Sequence, residues 1–336
     1  MAETEETPPA AGPTKRKAWL YKEAGSPVLA DLFAGGDARR RFLDFWLRDN
    51  LGNAAEILLF FAFKLLPASL VSKIGSHLGR FAVPRWHKKA LSRVRGNLRT
   101  IRPDASEAQI DRWAEEFAEI QGRQRTEYSV VQRLAASRRN IRFAGTENLV
   151  KECAGRPVIF IGFHTGNLEI LWQCLVNMGL DVTTNYDPPK RPSHRWIANR
   201  VRRRGGLGLL PPGRSYVRPA LRILESGGRL LIYCDEGFGG VMRAPFFGRR
   251  PHLQSNYALV SRMARKTGAL IRPVYLTREG GTRFTFHALP AVDLPPEDTP
   301  GSRLLEDVIL LNAVVEPVIA AHPGQWFFID NRMVPL

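Results

Sequence analysis

The chain has little cysteine. Cys153, Cys174 and Cys234 are the three in 336 residues, and no two form a Cys-x-x-Cys pair. That excludes a disulfide framework and a zinc finger and suits a reducing compartment. Cys174 and Cys234 read as small buried apolar residues. Acidic residues are also scarce: 32 Asp+Glu face 49 Lys+Arg, a net charge of +17. Such an excess favours an acidic partner, whether nucleic acid, an anionic membrane surface, or a phosphorylated substrate or carrier. A secretory leader is not apparent, because "MAETEETPPAAGPTKRKAW" is acidic, then Pro-rich, then basic. Residues 1–18 read as a flexible tail. There is no internal repeat, no G-x-S-x-G and no P-loop, and "GGLGLLPPG" lacks the third glycine of a dinucleotide loop. A serine-nucleophile elbow and the common nucleotide cradles are therefore excluded. The basic residues lack aromatic interleaving, and no helix-turn-helix, RNA-recognition or zinc pattern occurs, so nucleic acid is not the expected partner.

Long hydrophobic runs are missing too. The greasiest stretch, "NAAEILLFFAFKLLPASLVSKIGSHLGRFA" at 53–82, is interrupted by Glu56, Lys64 and Pro67. A spanning helix needs about 20 mostly apolar residues. The stretch instead suits a helix lying in a membrane interface. Ile57, Leu58, Phe60, Phe61, Leu65 and Leu66 would sink into the acyl region. Lys64, Lys73 and Arg80 would reach lipid phosphates. An ordinary buried helix is the competing reading.

What is present divides at about residue 140. Before it, helical periodicity dominates "HKKALSRVRGNLRTI" and "SEAQIDRWAEEFAEIQGRQRTEYSVVQRL", with Asp104 and Ser106 as start signals for the second. After it, strands and helices alternate: "RPVIFIGF", "NLEILWQCLVNMG", "DVTTNY", "HRWIANRVRRRGG", "RLLIYCDE", "ALIRPVYLTRE", "TRFTFHAL", a long helix from Ser302, and "QWFFID" as a closing strand. This alternation predicts an α/β fold, a mixed sheet flanked by helices. No Pro/Gly/Ser linker separates two cores. A helical, membrane-proximal region over 19–140 and an α/β core over 141–336 are expected to form one continuous domain.

In "FHTGNLE" a histidine stands where a strand hands over to a helix, the place where sites collect in open α/β sheets. A histidine, with an unperturbed pKa of about 6.5, suits a general base at neutral pH. Glu169, one turn into the helix, is positioned to hold the other ring nitrogen of His164. Gly166 permits the tight turn. With Asn167 it leads into the first N–H groups of the helix, which are expected to point outward toward an oxyanion. Since no protein nucleophile accompanies the pair, the base is expected to activate a hydroxyl of the substrate. A structural histidine beside an exposed glutamate is the alternative.

The spacing His-x4-Glu after an apolar strand resembles the glycerolipid-type acyltransferases. Over roughly residues 50–330 the chain resembles the late acyltransferases of lipid A biosynthesis. The segments carrying the likeness are "LLFFAFKLLPASLVSKIGSHLGRF", "RVRGNL", "HTGNLE", "WIANRVRRRGGLGLL", "LESGGRLLIYCDEGFGG" and "APFFGRRPHLQSNYALVSRMARKTGALIRPVY". The resemblance implies a glycerolipid-acyltransferase-like fold. It makes His164 the general base and Glu169 its orienter. It gives Arg204, or neighbouring Arg203 or Arg202, an oxyanion- or phosphate-binding role, and lets Asp235 and Glu236 orient the acceptor or the arginine. It implies no metal and no cofactor beyond a cosubstrate, acyl carrier protein or coenzyme A carrying the acyl thioester. Its partners would be that acidic carrier, an acceptor lipid and an anionic membrane surface, with a monomer at the cytoplasmic face of a bacterial inner membrane. Phe60, Phe246 and Phe247 are candidates to line an acyl channel, with ordinary core packing as the competing reading for each. The chain departs from the family pattern at Leu168, Asp187 and Gly237. At Gly237 the Asp-Gln-Asp block loses its second acid, and Asp187 stands where an arginine is expected. These departures leave the acceptor open between a lipid A precursor, a related glycolipid and another membrane lipid. A non-catalytic basic membrane- or nucleic-acid-binding protein is the third reading.

Overall fold

A computed structural model describes residues 25–334. The expected tail over 1–18 lies outside these residues. Helices come first: α1 (Leu29–Phe33), α2 (Gly36–Leu43), a π-helical turn (Asp44–Asp49), α3 (Asn50–Lys64), α4 (Ala68–Trp86), α5 (Lys88–Ile101), α6 (Glu107–Glu127) and α7 (Val131–Ala136). Pro67 splits the greasy stretch into α3 and α4, because the residue before a proline disfavours helical backbone. Ser106 starts α6 as its sequence suggests, its hydroxyl accepting from the Gln109 N–H in a capping box.

The rest alternates: β1 (Ile141–Ala144), α8 (Leu149–Glu152), β2 (Val158–Gly162), α9 (Leu168–Asn177), β3 (Thr183–Thr184), α10 (Pro192–Arg204), β4 (Gly208–Leu209), α11 (Val217–Glu225), β5 (Arg229–Tyr233), a small β6/β7 hairpin (Gly237–Phe238 and Val241–Met242), α12 (Asn256–Thr267), β8 (Leu270–Gly280), β9 (Arg283–Ala288) and α13 (Leu304–Ala321). The main sheet runs β1-β9-β8-β2-β5-β3-β4. Only β8–β9 pair antiparallel, so the sheet is mixed with parallel pairs dominant.

β2 lies at the centre, and all five of its residues are buried. Alternation sends Ile159 and Ile161 into a core shared with α5, α6 and α11–α13. Val158 and Phe160 enter a second core against α7 and α9. Helices thus cover both faces, as a parallel sheet buried on both sides requires.

α4 and α6 cross at backbone contact. A Cβ on Gly79 would lie 2.1 Å from the Ala118 carbonyl oxygen, and one on Gly122 2.1 Å from that of Gly75. The face of α4 carrying Val71, Ser72, Gly75, Ser76 and Gly79 is buried. α3 likewise buries Asn53 and Phe60 and exposes Leu51, Leu58, Leu59 and Leu65.

One expected element is not formed. "QWFFID" is a 3-10 turn at Pro323–Gln325 followed by turns, not a strand. Its polar groups are spent elsewhere: Phe327 N–H donates to the His164 carbonyl and the Trp326 indole to Asp235.

Candidate active site

β2 and β5 run parallel in a register that places Gly162 beside Tyr233. His164 and Asp235 each stand two residues beyond that pair, so both strands deliver their side chains to one edge of the sheet. The Nδ1 of His164 lies 3.0 Å from Asp235 Oδ1, and the backbone N–H of His164 donates to Asp235 Oδ2 at 2.6 Å. The Trp326 indole donates to that same oxygen at 2.9 Å. A carboxylate only accepts, so Nδ1 carries the proton of the neutral ring and Nε2 keeps its lone pair. The ring packs on Tyr233 (centroids 4.2 Å apart) and edge-on to Phe328 (4.8 Å). The side chain is 16% exposed and opens onto a cavity of about 640 Å³.

The partner of the imidazole differs from the sequence expectation. Glu169 does not brace His164. It is buried in the first turn of α9 and accepts from the Tyr128 hydroxyl (2.9 Å), the Trp172 indole (2.8 Å) and Arg202 (Nη2, 2.6 Å). Burial alone would raise its carboxyl, but Arg202, aided by the Trp172 and Tyr128 donors, outweighs burial and holds it below the usual carboxylate range. Burial would lower the Arg202 guanidinium, and the Glu169 charge instead raises it. Burial, and then the Glu169 charge, pushes the Tyr128 phenol up, so Tyr128 remains a donor.

Of the three arginines offered for the anion-binding role, one borders the reaction cavity. Arg202 borders the cavity, whereas Arg203 is exposed and Arg204 faces a smaller cavity behind Tyr128. Arg202 engages Glu169 through Nε and Nη2, which leaves Nη1 for a ligand.

Two of the expected outward N–H groups at the start of α9, those of Glu169 and Ile170, are already spent. The Asn167 side chain caps the helix, accepting from the N–H groups of Glu169 and Ile170, while its amide donates to buried Glu127. Gly166 is a backbone requirement. Its φ is +62°, and a Cβ there would lie 2.6 Å from the Leu276 carbonyl oxygen. The Thr165 hydroxyl donates to the same oxygen, pinning the turn to β8.

Glu236 borders the cavity beside Gly237. A side chain at Gly237 would collide with the Asn331 and Phe328 side chains as they stand. The remaining apolar walls include Leu168, Trp172, Leu207, Leu231 and Leu259. The phenylalanines expected to line an acyl channel are elsewhere: Phe60 is 5% exposed under Trp196, and Phe246 is buried against Tyr257 and His252. Phe247 packs on Trp326. Among the residues proposed for membrane contact, Phe60 therefore points inward, Ile57 is partly buried, Phe61 is exposed, and the Lys64 ammonium lies 5.0 Å over the Phe60 ring. Arg80 is paired with Glu115.

Tyr128, Trp172, Tyr233, Trp326 and Phe328 escaped sequence reading as site residues. The tryptophan at Glu169+3 was the one local signal, since that spacing shares a helix face. Among the described residues, no three His, Cys, Asp or Glu side chains converge on a possible metal position, and no helix is long and apolar enough to cross a membrane.

Comparison with known proteins points to one family. The family model described as bacterial lipid A biosynthesis acyltransferase matches residues 37–334. A lipid A biosynthesis acyltransferase of Haemophilus influenzae is 22% identical over 285 residues, spanning 81% of this chain and 83% of that protein.

Proposed function

We propose that this chain, which belongs to the bacterial lipid A biosynthesis acyltransferase family and is an acyltransferase, moves a fatty acyl group from a carrier thioester to a hydroxyl of a lipid A precursor or related glycolipid at a membrane surface. The carrying observation is the His164–Asp235 pair at the wall of a large, partly apolar cavity. Nε2 of His164 takes the proton of the acceptor hydroxyl. The oxygen attacks the thioester carbonyl, forming the new C–O bond. Collapse breaks the C–S bond, and the departing thiolate receives the proton from the imidazolium. Asp235 fixes the tautomer and offsets the imidazolium charge, the part a buried carboxylate plays in a Ser-His-Asp triad. Arg202, tethered by Glu169 with Nη1 unspent, supplies positive charge for the oxyanion. Leu168, Leu207, Leu231 and Leu259 offer the acyl chain an apolar wall.

Two features support the carrier and the membrane. The net charge of +17 favours approach of an acidic acyl carrier protein over an uncharged donor, with coenzyme A as the other thioester source. Leu58, Leu59 and Leu65 stand exposed along α3, with Leu78, Phe81 and Trp86 on α4. Such a surface suits interfacial burial, on the cytoplasmic side, where the carrier is made. The family likeness favours a lipid A precursor, and the changed positions Asp187 and Gly237 keep other glycolipids, aminolipids or phospholipids in view.

The test is His164→Ala, with folding checked by circular dichroism. Losing a general base should slow transfer of labelled acyl groups about 10²–10⁴-fold. Mass spectrometry of lipids from cells with and without the gene should show loss of one acyl mass. Full activity in the variant would remove the mechanism.

A further inference from the structure

Behind Tyr128 lies a second cavity of about 220 Å³ that shares Tyr128 with the reaction cavity. Four cations from three elements line it: Lys64 at the end of α3, Arg133 on α7, and Arg200 with Arg204 one turn apart on α10. None of its lining residues is acidic. Like charges spaced i, i+4 on a helix repel, so this grouping costs stability with nothing bound. The cations rest on other groups. Lys64 lies over Phe60, Arg200 lies 5.0 Å over Trp196, and Arg133 donates to the Leu66 carbonyl at 2.8 Å. Arg200 Nε is buried without a hydrogen-bond partner, and among the described residues neither Arg200 nor Arg204 forms an ion pair. Burial first, then Arg200, Arg204 and Arg133, lowers the Lys64 ammonium from its usual range. Lys64 is followed by Leu65, 86% exposed, so the pocket rim adjoins the apolar face of α3.

We infer that this pocket is a phosphoryl-binding site, filled by the phosphate of a lipid headgroup whose tails lie along the exposed face of α3. Arginine matches phosphate oxygens with paired donors, and lysine adds a point charge. The site goes beyond acyl transfer and does not depend on His164.

The test uses the full chain, binding to phosphatidylcholine vesicles with and without phosphatidic acid. Arg200→Gln and Arg204→Gln should each weaken binding to the phosphatidic acid vesicles several-fold. Arg203→Gln, which removes an equal charge from a position on the same helix that does not line this cavity, should leave it unchanged. Equal weakening by Arg203→Gln would mean diffuse attraction and overturn the site. Inorganic phosphate should raise the melting temperature of the wild type but not of Arg204→Gln, which in phosphate-free buffer should melt no lower than wild type because a repulsion is relieved. A phosphate-induced rise without any preference for phosphatidic acid vesicles would overturn the assignment to a lipid. His164→Ala should bind both probes like the wild type, so failure here and failure of the transfer mechanism are told apart.

Discussion

At the scale of the residue, two carboxylates near one histidine have separable duties. Asp235 touches the imidazole, and Glu169 touches the arginine. Asp235→Asn would offer Nδ1 an amide that can no longer impose the tautomer, so kcat should fall nearly as far as in His164→Ala. Steady-state kinetics on the folded variant checks this. Glu169→Gln should act first on stability, since it strands Arg202 without its charge partner. Breaking one side of a buried pair costs about 3–5 kcal/mol, read by urea unfolding. Because the Glu169 carboxyl is held below its ordinary range, its contribution is fully present above the ordinary glutamate value. It is lost as pH falls through the lower folded value. The gap between wild type and variant should therefore shrink in acid, and a gap that widened as pH fell would contradict the pairing.

At the scale of the element, the crossing of α4 on α6 leaves no room for a methyl group. Gly79→Ala puts carbon against the Ala118 carbonyl of the partner helix, where backbone rather than a movable side chain must yield. Overpacking of this kind costs about 1–3 kcal/mol, visible as a lower denaturation midpoint. The crossing matters to the site because α6 ends at Glu127, which joins Ser72 of α4, Arg278 of β8 and the Asn167 cap of α9. The strand leading to His164, the helix after it and the alternation of the second half were legible, since apolar runs and glycine stops are local signals. The partner of His164 was not. Asp235 is 71 residues away, and only the parallel register of β2 with β5 brings it alongside. Glu169, near in sequence, is turned by its helix toward α10. "QWFFID" has strand-like composition, but its amide and indole groups find better acceptors at the site than a sheet edge would give. The Gly75/Gly79 stripe lay inside a stretch that suited a helix in a membrane interface, and its buried face packs on α6.

At the scale of the whole molecule, the exposed leucines of α3 form a face with no partner among the described residues. Replacing Leu58, Leu59 and Leu65 together by serine should reduce flotation with liposomes while leaving thermal stability near wild type, because these side chains already meet solvent. Loss of folding in the triple variant would mean the face belongs to the core. The leading helices carry this face, and the sheet carries the His164–Asp235 pair.

The indole of Trp326 and the amide of Phe327, anchored on Asp235 and His164, make one of the last segments to be synthesised the one that completes the surroundings of the imidazole. The ribosome delivers α3 and α4 long before this segment. A chain truncated upstream of Trp326 would lack both anchors, and such a truncation is expected to lower acyl transfer even where the preceding residues fold.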